Sequence, residues 1–199
     1  MRYALVLAAV LSGCGGSGTV NGTVAGFSVF VRDAIFSVFT DQNTGKTVGM
    51  GLAMADKGGL CALFQAGRQP RSASMVVFGF VSKGQLELLA PDVGEYAVKD
   101  KVSLFNVFQA GREVSATFAK NDANCTNAVA ASDREGASGT VTVTGVKGEK
   151  GGTLSGSFNV PFKNSSGTLT GTFNAEYCEI KRAFDPVALA CETSSNDGG

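Results

Sequence analysis

The sequence predicts an all-β domain, an antiparallel sandwich or closed barrel of about ten strands with one short helix near residues 59–67. Three observations predict it. Val, Thr and Phe recur at alternate positions, the period of a strand with one dry and one wet face. Gly, Asn and Ser punctuate these runs, with 27 Gly against 4 Pro in 199 residues. A nine-residue pattern also occurs twice, as Gly-Thr-Leu-Ser-Gly-Ser-Phe-Asn-Val at 152–160 and Gly-Thr-Leu-Thr-Gly-Thr-Phe-Asn-Ala at 167–175, with six identical positions at an offset of 15.

Taken in order, strands are expected at 24–31 and 34–39, with a turn at 41–45 leading into 47–54. A hairpin joins 73–81 to 85–89 around Ser82-Lys83-Gly84, and 96–98, 102–108 and 114–118 follow. Residues 121–137 are rich in Asn, Asp, Ala and Ser and read as a long loop, with room for a short helix at 127–132. Leu60, Leu63 and Phe64 share one helical face, and Gly67 is a natural stop. The clearest strands are the last three: 139–144, where Thr and Val alternate strictly, and the twin segments. In the twins Gly156 and Gly171 fall on the apolar face between Leu and Phe, where a missing side chain permits a bulge, sharp curvature or close approach of a neighbour. Phe-Gln-Ala-Gly-Arg occurs at 64–68 and again at 108–112, which reads as a shared turn with Gly at positive φ.

Composition removes whole classes of function. The chain has no His and no Trp, and 17 Lys and Arg balance 17 Asp and Glu. Without imidazole there is no Ser-His-Asp triad, no Cys-His dyad and no His-ligated zinc. Zero net charge gives no basic footprint for nucleic acid. Gly13, Gly15 and Gly18 match the spacing of a dinucleotide fingerprint, but no βαβ unit surrounds them. Asp41 opens a stretch like the start of a calcium loop, yet its Gly comes a position early and no Glu completes it. The acid–base resources that remain are Asp33, Glu87, Asp92, Glu95, Asp133 and Glu135. Two carboxyls at a set separation suffice for glycoside hydrolysis, so carboxylate-only chemistry survives the exclusion. No cofactor or metal is expected.

The N-terminus carries an address. Met1-Arg2 gives one positive charge, an apolar run follows from Tyr3 to Val10, and Leu11-Ser12-Gly13-Cys14 closes it. This is the grammar of a secretory signal, too short to span a bilayer. Leu11-Ser12-Gly13-Cys14 resembles the lipobox of bacterial lipoproteins, a resemblance confined to the first residues of the chain. It implies that residues 1–13 are removed and that Cys14 is acylated and becomes the mature N-terminus. Residues 14–22, rich in Gly, Ser and Thr, have the composition of a flexible tether. Taking 13 residues from 199 leaves 186, and loss of Arg2 makes the mature charge −1. That product is the length of one domain; within it 23–191 is expected to be a single β-domain and 192–199 a disordered tail. The paired Gly-x-Leu-x-Gly-x-Phe strands, Phe173-Asn174-Ala175-Glu176-Tyr177-Cys178 and Gly59-Leu60-Cys61 further resemble a loose group of uncharacterised secreted β-rich lipoproteins.

With Cys14 assigned to lipid, Cys61, Cys125, Cys178 and Cys191 remain. An even number in an exported chain implies two disulfides. Three pairings are open; the preferred one joins Cys61 to Cys125 and Cys178 to Cys191, closing a short C-terminal loop. The expected function is that of a membrane-anchored cell-envelope lipoprotein, a non-enzymatic structural or protein-interaction module. The alternative is a binding module holding a small apolar ligand or lipid inside a curved sheet. The partners expected are the membrane, through lipid on Cys14, and an envelope protein or apolar ligand. Gly15 after the lipobox, where Asp would signal inner-membrane retention by resemblance, favours the outer membrane.

Overall fold

The computed structural model describes residues 15–41, 43–84, 88–100, 110–180 and 189–193. The expected signal, Cys14, the expected strand at 102–108, Glu87, and the tail from 194 onward lie outside the described residues. Within them the chain is nearly all strand and closes into an eight-stranded barrel.

The ring runs β2 (Asp33–Thr40), β3 (Thr47–Ala55), β5 (Ser74–Lys83), β8 (Gly111–Lys120), β7 (Gly94–Val98), β9 (Thr140–Val146), β10 (Thr153–Pro161) and β11 (Thr168–Tyr177). Neighbours are antiparallel except at two places. β7 runs parallel to β8, and β11 closes on β2 in parallel, through Glu176 opposite Ile35 and Tyr177 opposite Phe36. The rest of that edge of β11 is taken by β1 (Ser17–Gly22), antiparallel from Ser17 opposite Asn174 to Gly22 opposite Leu169. β6 (Leu88–Leu89) returns on β5 at Ser82 and Lys83, as the hairpin reading expects. A two-stranded parallel sheet of β4 (Arg68–Gln69) and β12 (Ala190–Cys191) lies apart from the barrel.

Alternation decides which residues fill the lumen. Phe36, Leu52, Met54, Phe78, Phe80, Tyr96, Phe118, Val141, Leu154, Phe158 and Leu169 all point inward and are buried. At eight strands the interior is just wide enough for side chains to fill, and rings from different strands meet there. Phe78 of β5 lies 5.1 Å from Phe158 of β10, and Phe80 stands edge-on to Tyr96 at 5.2 Å. The Tyr96 hydroxyl donates to the Asp92 carbonyl and accepts from the Asp92 N–H, both at 2.9 Å, so its polar end is satisfied.

The twin segments become β10 and β11 and explain their own glycines. They pair so that Gly156 faces Phe173 and Phe158 faces Gly171. Each ring lies over the bare backbone of the opposite strand: a Cβ at Gly156 would come 2.5 Å from the Phe173 ring, and one at Gly171 would come 2.8 Å from that of Phe158. A register shift against β9 falls between Ser155 and Gly156. Reciprocal Gly–Phe pairs and a bulge are devices that curve a sheet into a barrel.

The outer face of β2, β3 and β5 is covered by α1 (Leu60–Gln65), within the span expected for the helix. Leu60 and Phe64 bury themselves against Ile35, Ala53, Ala55, Met75 and Val77, a second apolar cluster outside the barrel. Each such side chain contributes about 1.5–3 kcal/mol on burial.

Several expectations need correction. Of the tether expected at 14–22, Ser17–Gly22 forms β1 instead, with Thr19 Oγ1 3.0 Å from Thr172 Oγ1 across the ladder. The expected strand at 24–31 breaks into a tight turn, with Val24 bridging Phe27 around Ala25 and Gly26, both at positive φ. Residues 127–132 form no helix. Asn127 instead bridges Asn121 and the Ala128 N–H donates to the Lys120 carbonyl, and farther on residues 134–136 run along β8, where the Phe118 N–H donates to the Arg134 carbonyl and the Gly136 N–H to that of Ala116. Lys83 belongs to β5 rather than to a turn; it is buried and pairs with Glu113 at 2.6 Å. The two Phe-Gln-Ala-Gly-Arg segments share no turn: Gly67 has φ 70° between α1 and β4, whereas Gly111 opens β8 without a positive φ.

The two disulfides exist, but the preferred pairing does not. Cys61 bonds Cys178 and Cys125 bonds Cys191, with Cα separations of 5.6 and 5.5 Å. The reason is placement. α1 lies across the outer face at the barrel seam and carries Cys61 to the residue after β11. The parallel pairing of β12 with β4 brings Cys191 beside the 122–126 turn. Pairing also orders the start of the expected tail: Glu192 forms an ion pair with Lys57 and accepts the Arg71 N–H at 3.3 Å.

Candidate functional site

The residues that bear on function converge where the chain joins the barrel. Gly16 is buried between β2 and β11, where a Cβ would strike the Ala34 carbonyl and the Ala175 backbone. Gly15 sits against Asp33, with room for a Cβ only 2.9 Å from its Oδ1. Small residues after Cys14 thus let the backbone slot into the wall. Cys14 is separated from β1 by Gly15 and Gly16 alone.

Asp33, a sequence-predicted candidate, is 3% exposed. Its Oδ2 accepts the Leu60 N–H at 2.9 Å, supplying the cap that Gly59 lacks a side chain to provide. Its Oδ1 is buried without a hydrogen-bond partner among the described residues. Asp33 is therefore a structural capping group that ties α1 to β2. Asp33→Ala should cost about 1–2 kcal/mol by orphaning that N–H, and Asp33→Asn, which keeps an acceptor oxygen, should cost less. Urea unfolding of the two variants measures the difference, and equal losses would contradict the capping role.

Of the other carboxylates, Asp92 pairs with Arg112, whereas Asp133, Glu135 and Asp100 all meet the Lys163-Asn164 turn, with Lys163 Nζ 3.6 Å from Asp100. Asp92 forms a bidentate pair with Arg112, both bonds at 2.8 Å, and this guanidinium holds its carboxyl below the usual range. Asp133 accepts from the Asn164 amide at 2.8 Å, which lowers its pKa as well. Glu135 pairs with Lys163 at 2.7 Å. Glu95 is exposed on β7. Each of the paired groups is committed to a structural partner. The shifted carboxylates lie below their ordinary values, opposite to the raised pKa that a general acid needs.

Among the described residues, two open cavities lie outside the barrel. One, about 190 Å³, has Met75 and Ala119 on its floor and Asn121, Asn127 and Arg134 around it. The other, about 310 Å³, is formed by Lys46, Thr47, Leu88, Leu89 and Ala90. No carboxylate lines either. Among the described residues no group of three or more Cys, Asp or Glu could hold a metal ion, and no helix is long and apolar enough to cross a membrane.

Sequence reasoning misses Phe30 and Arg32. The Val29-Phe30-Val31 run reads as a buried strand; instead Val29 and Val31 face the core while Phe30 is 77% exposed. Strict alternation counted from Val29 would turn Phe30 outward, but the continuous apolar run hides that face.

No protein-family model, curated protein or solved structure matches this chain.

Proposed function

We propose that this chain is a lipid-anchored, non-enzymatic module of a bacterial cell envelope, a rigid barrel presented at a membrane surface as a structural or protein-interaction body. The packed lumen carries the choice over a ligand carrier. Phe78 meets Phe158 across it, and Phe80 meets Tyr96, so the axis is occupied by the protein's own rings. A carrier needs a cavity of several hundred Å³ in that place. The pairing of Asp92 with Arg112, of Glu135 with Lys163 and of Asp133 with Asn164 supports the non-enzymatic part. The lipobox, and the seating of Gly15 and Gly16 directly after Cys14, support the anchor. Gly15 in place of Asp favours the outer membrane.

Native mass spectrometry of the protein extracted from membranes in mild detergent tests this reading. The expected species is the chain from Cys14 with its acyl groups and no further small molecule. A stoichiometric apolar ligand released on unfolding would favour the carrier instead.

A further inference from the structure

The anchor reading places Cys14 immediately before Gly15, and Gly15 packs on Asp33. Asp33 begins β2, and the segment that leads into it, 28–32, is two-faced and lies outside any strand, with a bend at Arg32. Val29 and Val31 turn toward the core, while Phe30 and Arg32 turn outward. Phe30, at 77%, is the most exposed large apolar side chain among the described residues. Arg32 is exposed too and has no ion-pair partner among those residues. Three residues reach at most about 11 Å. With a Cα step of about 3.8 Å from Gly15 to Cys14, Phe30 is held within about 20 Å of the lipid-bearing residue.

We propose that the Phe30–Arg32 face is a second membrane contact, which lays this flank of the barrel on the bilayer. The inference rests on acylation of Cys14. Because Ser17–Gly22 is a strand rather than a tether, acyl chains on Cys14 bring the barrel wall itself to the headgroups. Phe30 then meets the boundary between headgroup and acyl chain, where an aromatic ring is favoured, and Arg32 meets anionic headgroups. The lipid supplies affinity, and the Phe30–Arg32 face fixes orientation. Leu89 lies at the far end of β2, β3 and β5 from Asp33, since β6 pairs with Ser82 and Lys83, and it points away from the membrane.

The absence of Trp makes a clean test. Phe30→Trp and Leu89→Trp each introduce a single indole at an exposed position. The lipidated proteins are reconstituted into vesicles of phosphatidylethanolamine and phosphatidylglycerol with brominated acyl chains. For Phe30→Trp the emission should move to shorter wavelength and lose most of its intensity to the bromines. For Leu89→Trp it should keep its aqueous position and intensity. If the protein floats with the vesicles while the Phe30→Trp emission stays aqueous, the inference is overturned and the anchor stands. Equal quenching of both variants also overturns it. If the protein neither floats nor carries acyl groups, the inference and the anchor fall together.

Discussion

Adding one methyl group at Gly156 or Gly171 is expected to destabilise the barrel by about 3 kcal/mol. The sign is the informative part. In an open strand position, replacing Gly by Ala gains roughly 0.4–1 kcal/mol by restricting the unfolded chain. Here the new Cβ would overlap backbone: the Thr142 carbonyl oxygen at Gly156, and the Thr19 carbonyl oxygen at Gly171. The Thr142 backbone cannot step aside, because β9 is held on both edges by β7 and β10, and the Thr19 backbone can do so only by giving up the β1–β11 ladder. The Phe173 and Phe158 rings, each stacked over the opposing Gly, must move as well. Gly145 on β9 is the control, since nothing lies within 4 Å of a Cβ there and its φ is not positive. Urea midpoints should fall for Gly156→Ala and Gly171→Ala and hold or rise for Gly145→Ala. A neutral Gly156→Ala would mean that β10 and β11 do not pair in this register.

Removing the Cys61–Cys178 bridge is the second large effect, expected to cost about 3–5 kcal/mol. The bond closes a loop with a sequence separation of 117, against 66 for Cys125–Cys191. It also fastens α1 over the outer apolar cluster of Ile35, Ala53 and Met75. The Cys61→Ala, Cys178→Ala double variant should therefore lose more stability than the Cys125→Ala, Cys191→Ala double variant. Loop length alone separates the two by only about 0.5 kcal/mol, since closure entropy grows logarithmically. A larger gap would measure what holding α1 in place contributes. Non-reducing peptide maps should recover 61 with 178 and 125 with 191, and recovery of 178 with 191 would contradict the fold.

Strands with strong alternation are legible in the amino-acid sequence alone. β9, β10 and β11 fall close to where Thr-Val alternation and the twin segments put them, because one face must be dry. The helix is legible from three apolar residues on one face, but its position over the β2–β3–β5 wall is not. Which cysteines meet depends on that position, so the pairing is hidden too. β1 escapes a sequence reading because Ser-Gly-Thr-Val-Asn-Gly has the composition of a linker. What makes it a strand is the free edge of β11, a property of the closed sheet rather than of the segment. Lys83 reads as a turn residue because a charge near Gly usually is one, and only Glu113 on the neighbouring strand accounts for its burial.

At the candidate site, the sequence points to Asp33 as an acid–base group, and its environment makes it a helix cap instead. Its Leu60 partner lies 27 residues away, a contact that no local pattern encodes. Phe30 is concealed by its apolar neighbours. The reading of Cys14 as a lipid site rests on linear sequence alone, independent of the fold that follows.

The central claim is that the barrel is held to a membrane through Cys14. The most direct measurement is the mass of the N-terminal proteolytic peptide of the mature protein, taken from the same membrane extract used for the native spectrum. The expected result is a peptide that begins at Cys14 and carries acyl chains on that residue. A peptide that begins elsewhere, or an unmodified Cys14, would contradict it.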